Sequence, residues 1–591
     1  MDEVQTILAY PKLKNYLAEN PHVREQVLSH IEEIRGNFNP KVVKSAIRFI
    51  DATFGKLYDG VNLEVPQGFD LAALSKQYHI VLVPNHQSHA DYIALTYVLF
   101  GVYEVPIYIA GGINLNIFPI GSFFRNAGAF FIRRKFNDPV YKKTFEAYVY
   151  YLLRSEKVVE FFFEGGRSRT GKLLPPKFGL FQMLLETHCY LEADEKKPFM
   201  FIPVALAHEH IPEEKAHAKE LGGAKKEAEK STQLFKIFKL FKKRLGTIHV
   251  RVSTPIIVEN VEGDIKKFTQ DLAFKCFNSV AAAMPVTPSS LLALIVLDEP
   301  SGAMTWKNIK DRATEVIDFC RVFNIPMTPS LEDNELEESL TKALNLFVAN
   351  KKVTVVYREK LRETFYSPRS AARVELLYSK NMILHHFLVP GFINSSLMSL
   401  FRGEIKTPHE LTRFLMERRK EFKYEFYLPP AKAMIQMALK IVQMSTDREF
   451  ASLDKSLDLS NEELFKIANR VKVFSTAFVN IYEAYYIACS AVSFLADKEF
   501  GTEEYISVAR DLFEMEIEHS RFVHYPESFN VPQIKSALDY LQNMKIIERS
   551  GDEETLSFKL IDRKKLDEQI EKLISTINDE LAINVKFSSK L

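Results

Sequence analysis

The stretch Ile80–Phe100 reads IVLVPNHQSHADYIALTYVLF. Its apolar, β-branched opening stops at Pro84 and an amphipathic pattern begins near Ser88, which predicts a strand, a tight turn and a helix. The turn carries His86 and, a helical step further on, Asp91, with Asn85 and Ser88 beside them. Open α/β sheets bind ligands at the carboxyl ends of their strands, so a histidine here can point into a cleft. With an ordinary pKa of about 6.5, imidazole can take a proton from an alcohol near neutral pH if a carboxylate fixes its tautomer and stabilises the imidazolium. Asp91 has the spacing for that role. Ser88-His89-Ala90-Asp91 also fits an S-x-x-D capping box, in which Asp91 only ties off backbone N–H groups. On this stretch alone both readings stand.

Outward from it, residues 61–284 alternate short apolar runs with helical patterns, an α/β layout. Pro106–Ala110 and Ala129–Ile132 are strand candidates, and the second leads straight into Arg133-Arg134. Val158–Phe163 is another, followed by Glu164-Gly165-Gly166-Arg167-Ser168-Arg169-Thr170-Gly171-Lys172. Guanidinium forks match phosphate, and glycines let backbone N–H groups approach it. Between Arg125 and Lys177 there are 12 Lys/Arg against 5 Asp/Glu, while the whole chain has 77 against 76. That local excess marks an anion site in a neutral protein. A Walker loop is excluded, because Leu173 stands where its hydroxyl residue must be. Phe199–Leu206, containing Pro203, reads as a buried strand ending in His208-Glu209-His210. With no H-E-x-x-H and no companion carboxylate pattern, no metal site is expected. Thr247–Val258 closes the sheet.

The flanks differ in texture. Residues 1–60 show apolar positions at helical spacing (Val23, Val27, Ile31, Ile34, then Val42 to Phe54), a cover or brace for the α/β region. Residues 285–591 are mainly helical, with two helix-plus-hairpin patterns, Glu335–Tyr357 and Val531–Leu560, that resemble winged-helix units. Neither has a basic recognition face, and no nucleic-acid role is expected. Ser231–Leu245 (STQLFKIFKLFKKRL) gathers Phe235, Phe238 and Phe241 towards one side of a helix, with Lys239, Lys242 and Lys243 on the flank. Such helices lie on anionic membrane surfaces. Two apolar segments, Met382–Phe401 and Val473–Ala496, contain histidines, Pro390 and Asn394 or Glu483, and are expected to be buried rather than to span a bilayer. Four widely spaced cysteines without C-x-x-C spacing suit a reducing compartment, and MDEVQTILAY has acids where a secretion signal needs bases.

The four tracts NHQSHAD, GAFFIRR, FEGGRSRTGK and IPVALAHEHIPE, in that order, resemble the four blocks of the glycerol-3-phosphate acyltransferase family, most of all its long bacterial membrane-bound members. The similarity continues through AKELGGAKKEAEK and VTPSSLLALIVL. It implies a glycerolipid acyltransferase-type mixed sheet flanked by helices (61–284), between a helical N-terminal segment (1–60) and a large, mainly helical C-terminal region (285–591). It also implies acyl transfer from acyl-CoA or acyl carrier protein to the sn-1 hydroxyl of glycerol 3-phosphate, without cofactor, giving lysophosphatidate. His86 would be the base and Asp91 its orienting partner. Arg133, Arg167 and Arg169, with Arg134 and Lys172 nearby, would bind the phosphate. Asn85, Ser88, Glu164, Gly165, Ser168 and Pro203 would shape the site. The implied location is peripheral or monotopic, on the cytoplasmic face of the inner membrane. Dihydroxyacetone phosphate or lysophosphatidate are alternative acceptors, and an inactive membrane scaffold is an alternative of another class. Two positions depart from the family pattern: Gln87 where an arginine is common, and His208 where a tyrosine is common.

Overall fold

A computed structural model of the chain describes residues 2–54, 58–117, 120–224, 244–261, 263–299, 302–332, 335–446, 448, 457–552 and 555–588. Most of the amphipathic Ser231–Leu245 segment, including Phe235, Phe238, Phe241, Lys239, Lys242 and Lys243, lies outside them. Two compact units are present. The first comprises residues 1–168, 173–212 and 227–285; the second comprises 169–172, 213–226 and 286–591.

The first unit is built on an eight-stranded mixed sheet. In chain order its strands are β1 (Gly60–Glu64), β2 (His79–Pro84), β3 (Ile107–Gly112), β4 (Ala129–Ile132), β5 (Val158–Glu160), β6 (Phe199–His208), β7 (Thr247–Val252) and β8 (Ile256–Val258). Across the sheet the order is β1-β7-β6-β2-β5-β3-β4, with β8 also on β6. Neighbours from β6 to β4 run parallel, whereas β7 and β8 lie antiparallel to β6. The central strands carry almost no polar residues because both faces are covered. All six residues of β2 and all ten of β6 are buried.

Alternation along these strands divides the core. Val81, Val83, Val159, Phe199 and Phe201 face helices Pro139–Arg154, Gly179–His188 and Ile265–Ala283. Ile80, Leu82, Val158, Met200 and Ile202 face the helix Ala90–Leu95. The N-terminal helices join the first of these cores through Val27, Ile31 and Ile34, so the sequence-predicted brace is part of the α/β unit itself. Residues 169–172 and 213–226, expected within the α/β region, group instead with the second unit.

The second unit repeats one topology. Helix Pro288–Leu297, β9 (Met304–Thr305), helices Trp306–Phe323 and Leu336–Ala349, then β10 (Val353–Arg358) and β11 (Glu363–Pro368) form a module with sheet order β10-β11-β9. Helix Val479–Phe494, β12 (Phe500–Gly501), helices Thr502–His519 and Val531–Asn543, then β13 (Ile547–Ser550) and β14 (Ser557–Leu560) form another, with order β12-β14-β13. Both run helix, short strand, two helices and hairpin, the connectivity of a winged-helix unit; the Glu335–Tyr357 pattern reaches β10 and stops before β11. The two-residue third strands carry no sequence signal. Glu483, in the middle of its apolar helix, is wholly buried and accepts bonds from His524 N, Tyr525 N and Ser528 Oγ.

One run among the described residues, Ser370–Phe401, is long and apolar enough to cross a membrane by length and composition. Reading Met382–Phe401 alone misses this, because the helix begins twelve residues earlier and includes charges. Two of those charges are buried inside the unit: Arg373 grips Glu527 at 2.7 Å, and Lys380 donates to Ala477 O and Asn480 Oδ1, while Glu375 is half-buried.

Candidate active site

The carboxyl ends of β2, β5 and β6 converge on one buried cluster. Pro84 closes β2 opposite Val204 of β6, and Pro203 sits in register with Val83. One residue later a side chain takes over the ladder: Asn85 Oδ1 accepts from Leu206 N (2.7 Å) and Nδ2 donates to Leu206 O (3.1 Å). The turn is thereby tied to β6 just before His86.

The backbone of His86 is held from the other side. Its N–H donates to Glu164 Oε2 at 3.0 Å, and its carbonyl accepts from Ser168 N at 2.9 Å. Glu164 Oε1 accepts from Leu174 N, so this carboxyl joins both ends of the glycine-bearing turn to the histidine turn. Burial pushes the Glu164 pKa well above its ordinary value, only partly offset by those N–H donors. Gly165 has φ +67°, and a Cβ there would stand 2.9 Å from Lys177 Cγ. A larger residue would strain the turn and crowd it at once.

His86 Nδ1 lies 2.8 Å from Asp91 Oδ2. A carboxylate only accepts, so Nδ1 carries the proton and Nε2 presents its lone pair. The imidazole lies between Phe162, with ring centroids 4.1 Å apart, and Tyr92, edge-on at 5.2 Å with its hydroxyl 3.4 Å from Nε2. The ring is therefore held in one plane, and 5% of the residue remains accessible.

Asp91 Oδ2 also accepts from Gln87 N (2.6 Å) and Ser88 N (2.9 Å), while Ser88 Oγ accepts from Ala90 N. The capping and orienting readings are both present in one carboxylate. Asp91 Oδ1 accepts from His208 Nε2 at 2.6 Å. Burial alone would raise the Asp91 pKa, but the hydrogen bonds from His208 and His86 outweigh it and hold the carboxyl far below the usual carboxylate range. Gln87 is 1% exposed, its backbone serving the Asp91 cage.

The basic residues are divided between the two units. Arg133 presents its fork to Glu33, with Nε–Oε1 at 2.7 Å and Nη2–Oε2 at 2.6 Å, and stacks on Tyr141. Arg134 is exposed just beyond it. Arg167 is half-buried and directly precedes Ser168, whose N–H meets the His86 carbonyl. Arg169 and Lys172 belong to the second unit. There Arg169 lies 2.6 Å from His217 Nε2, and Lys172 lies 2.5 Å from Glu425 in a buried pair. Among the described residues no group of three or more His, Cys, Asp or Glu could hold a metal ion.

His208, Tyr92 and Phe162 are the site residues that sequence reading did not place. His208 stood out as half of a His-x-His pair and as a departure from the family pattern, neither of which points to Asp91. Tyr92 and Phe162 fall inside or beside the quoted tracts, where an aromatic reads as ordinary core.

Comparison with known proteins gives matches across both units. A family described as "Glycerol-3-phosphate acyltransferase C-terminal region" matches residues 217–550, more than half of the chain, and one described as "Acyltransferase" matches residues 70–207. The glycerol-3-phosphate acyltransferase of Histophilus somni is 31% identical over 63% of this chain and 47% of its own length. That of Pasteurella multocida is 31% identical over 66% and 49%, and that of Pseudoalteromonas translucida 28% identical over 72% and 54%. The chain thus spans about half the length of these relatives.

Proposed function

The chain belongs to the glycerol-3-phosphate acyltransferase family, and from that premise we propose that it transfers a fatty acyl group from an acyl-CoA or acyl carrier protein thioester to the sn-1 hydroxyl of glycerol 3-phosphate. The observation that carries this reading is the His86–Asp91 pair at the end of β2, with Nδ1 fixed on the carboxylate and Nε2 left as the basic nitrogen.

In this reading Nε2 takes the hydroxyl proton as the oxygen attacks the thioester carbonyl. The imidazolium so formed is stabilised by Asp91. Collapse of the tetrahedral adduct breaks the C–S bond, and His86 returns the proton to the departing thiolate. The products are lysophosphatidate and the free thiol. No covalent acyl-enzyme is needed. Arg167, on the turn bonded to the His86 carbonyl, would hold the phosphate with Arg133 and Arg134, and Arg133 would exchange Glu33 for it.

An apolar hollow lined by Tyr92, Ile93, Tyr97, Ile109 and Gly111 and by Ile47 of the helix Pro40–Phe54 begins at the ring that touches His86, and suits the acyl chain. Attachment to an anionic membrane through Ser231–Leu245, at the cytoplasmic face, belongs to the same proposal and rests on sequence alone.

The test supplies membranes carrying the protein with glycerol 3-phosphate, dihydroxyacetone phosphate or lysophosphatidate, each with acyl-CoA or acyl carrier protein thioesters, and identifies the lipid formed. Acylation of glycerol 3-phosphate, lost in His86→Ala, is expected. Wild-type turnover in that variant would sink the mechanism, and preference for another acceptor would correct the substrate.

A further inference from the structure

Asp91 has two carboxylate oxygens, and the fold treats them differently. Oδ2 takes three donors from its own turn: His86 Nδ1, Gln87 N and Ser88 N. Oδ1 takes a single donor, His208 Nε2, from the far end of β6. Both side chains of that 2.6 Å contact are fully buried. Because the carboxylate accepts, Nε2 of His208 carries its proton. The other nitrogen, Nδ1, is buried with no hydrogen-bond partner among the described residues.

A bare ring nitrogen in the core is unfavourable, and a phenylalanine would fill the same space without it. Fastening β6 to the histidine turn does not require the imidazole either, since Asn85 already makes two bonds to Leu206, two residues before it. What His208 adds is the contact to Oδ1.

We propose that His208 is a positioning residue for acyl transfer, fixing the orientation of the Asp91 carboxylate on His86 Nδ1 through a bond to Oδ1 that no other described residue makes. The inference rests on the acyl-transfer reading above. Three donors crowd Oδ2 from one side, and a carboxylate anchored through that oxygen alone is free to swing about it. His208 anchors the opposite oxygen and removes that freedom. The group must be oriented when His86 becomes an imidazolium, because its contribution is made to that transient charge. No proton moves to Asp91 or His208: the hydroxyl proton goes to His86 Nε2 and then to the leaving thiolate. An apolar residue at 208 would leave Oδ1 buried without a donor. Glutamine, whose Nε2 reaches about as far as the imidazole nitrogen, would restore it.

The experiment compares the full chain with His208→Phe, His208→Asn and His208→Gln. It measures kcat and both KM values for glycerol 3-phosphate and palmitoyl-CoA, thermal melting, and the rate at which diethyl pyrocarbonate modifies His86, read on its own peptide. Phe and Asn, which lack a donor that reaches Oδ1, are expected to lower kcat by about 10- to 100-fold with both KM values little changed. Gln is expected to recover most of the rate. His86 labelling should slow in Phe and Asn and recover in Gln. If Phe does not fold, Asn carries the comparison. Equal kcat in Asn and Gln, or losses that follow melting temperature alone, would overturn the positioning role. Failure of the wild-type chain to acylate glycerol 3-phosphate would remove the functional reading instead. The labelling would still decide whether His208 conditions His86, and unchanged labelling in Phe and Asn would overturn that.

Discussion

The turn after β2 and the turn after β5 follow neighbouring strands and both carry charge, yet they are held in opposite ways. On the first, three of the four donors to Asp91 come from within five residues. From the second, Arg169 reaches His217 and Lys172 reaches Glu425, 48 and 253 residues away. Arg133, at the end of β4, likewise reaches back 100 residues to Glu33. An acid–base pair must be arranged before substrate arrives, because reorganising it during the reaction raises the barrier. A cation meant for a phosphate can be kept on an acid until a stronger, doubly charged acceptor displaces it. The contrast is between a pair built to stay together and cations whose present partners a substrate would have to exchange.

The largest effect that could break this contrast is at the pair. His86→Ala is expected to lower kcat by about 10²- to 10⁴-fold. Asp91→Asn should come close to it, since the amide no longer fixes the tautomer; a near-normal kcat in Asp91→Asn would show that the pair is only a helix cap. Next in size, Arg167→Ala should raise the acceptor KM by about 10- to 100-fold while kcat stays within a few-fold. A matching loss in kcat would place Arg167 in the transition state rather than in ground-state binding. Smaller still is Glu33→Gln. If Arg133 has to release Glu33 to bind phosphate, the acceptor KM should fall about 2- to 5-fold, with a stability loss of about 1 kcal/mol for this partly exposed pair. An unchanged KM together with the stability loss would make Arg133 a brace for the N-terminal helices.

The same distances explain what was legible in the sequence. Buried strands announced themselves as apolar runs: Ile80–Val83 and Phe199–Leu206 lie wholly within the central sheet, and Val158–Phe163 enters it as far as Glu160. His86 and Asp91 stand five residues apart across one turn, close enough to be read as a pair or as a cap, and the downstream basic turns favoured the pair. His208 was not readable in this way, because its contact with Asp91 spans 117 residues and exists only once β6 lies beside β2. The basic tract was legible as charge but not as pairing. Nothing local in Arg133-Arg134 points to Glu33, and nothing in Arg169–Lys172 points to Glu425 or to membership of the second unit. Strands β9 and β12, two residues each, are defined by the sheets they join rather than by any pattern of their own.

The smallest effect on turnover is expected at Glu160, the last residue of β5, which sharpens the contrast from the stability side. Like Asp91 it is a carboxyl with no exposure, but neither of its oxygens has a hydrogen-bond partner among the described residues. Burial, with a further push from the Asp91 charge, raises its pKa to about 8 from an ordinary 4.5. Between those values the folded chain keeps a proton that the unfolded chain releases, so Glu160 makes the protein progressively less stable as pH rises from about 4.5 to 8. Above pH 8 the penalty is constant, with an upper limit of about 5 kcal/mol for a shift of this size. Glu160→Gln removes the titration while keeping the shape. Denaturant unfolding at pH 5, 6.5 and 8 should show the variant gaining on the wild type at each step, with kcat within about 2-fold because, among the described residues, no hydrogen bond joins the group to His86 or Asp91. Parallel pH profiles would mean that Glu160 finds a donor in solution, and that the carboxyls of β5 and the β2 turn are satisfied alike. A widening gap would show that, of these two carboxyls, Asp91 and not Glu160 has been given donors to keep its charge.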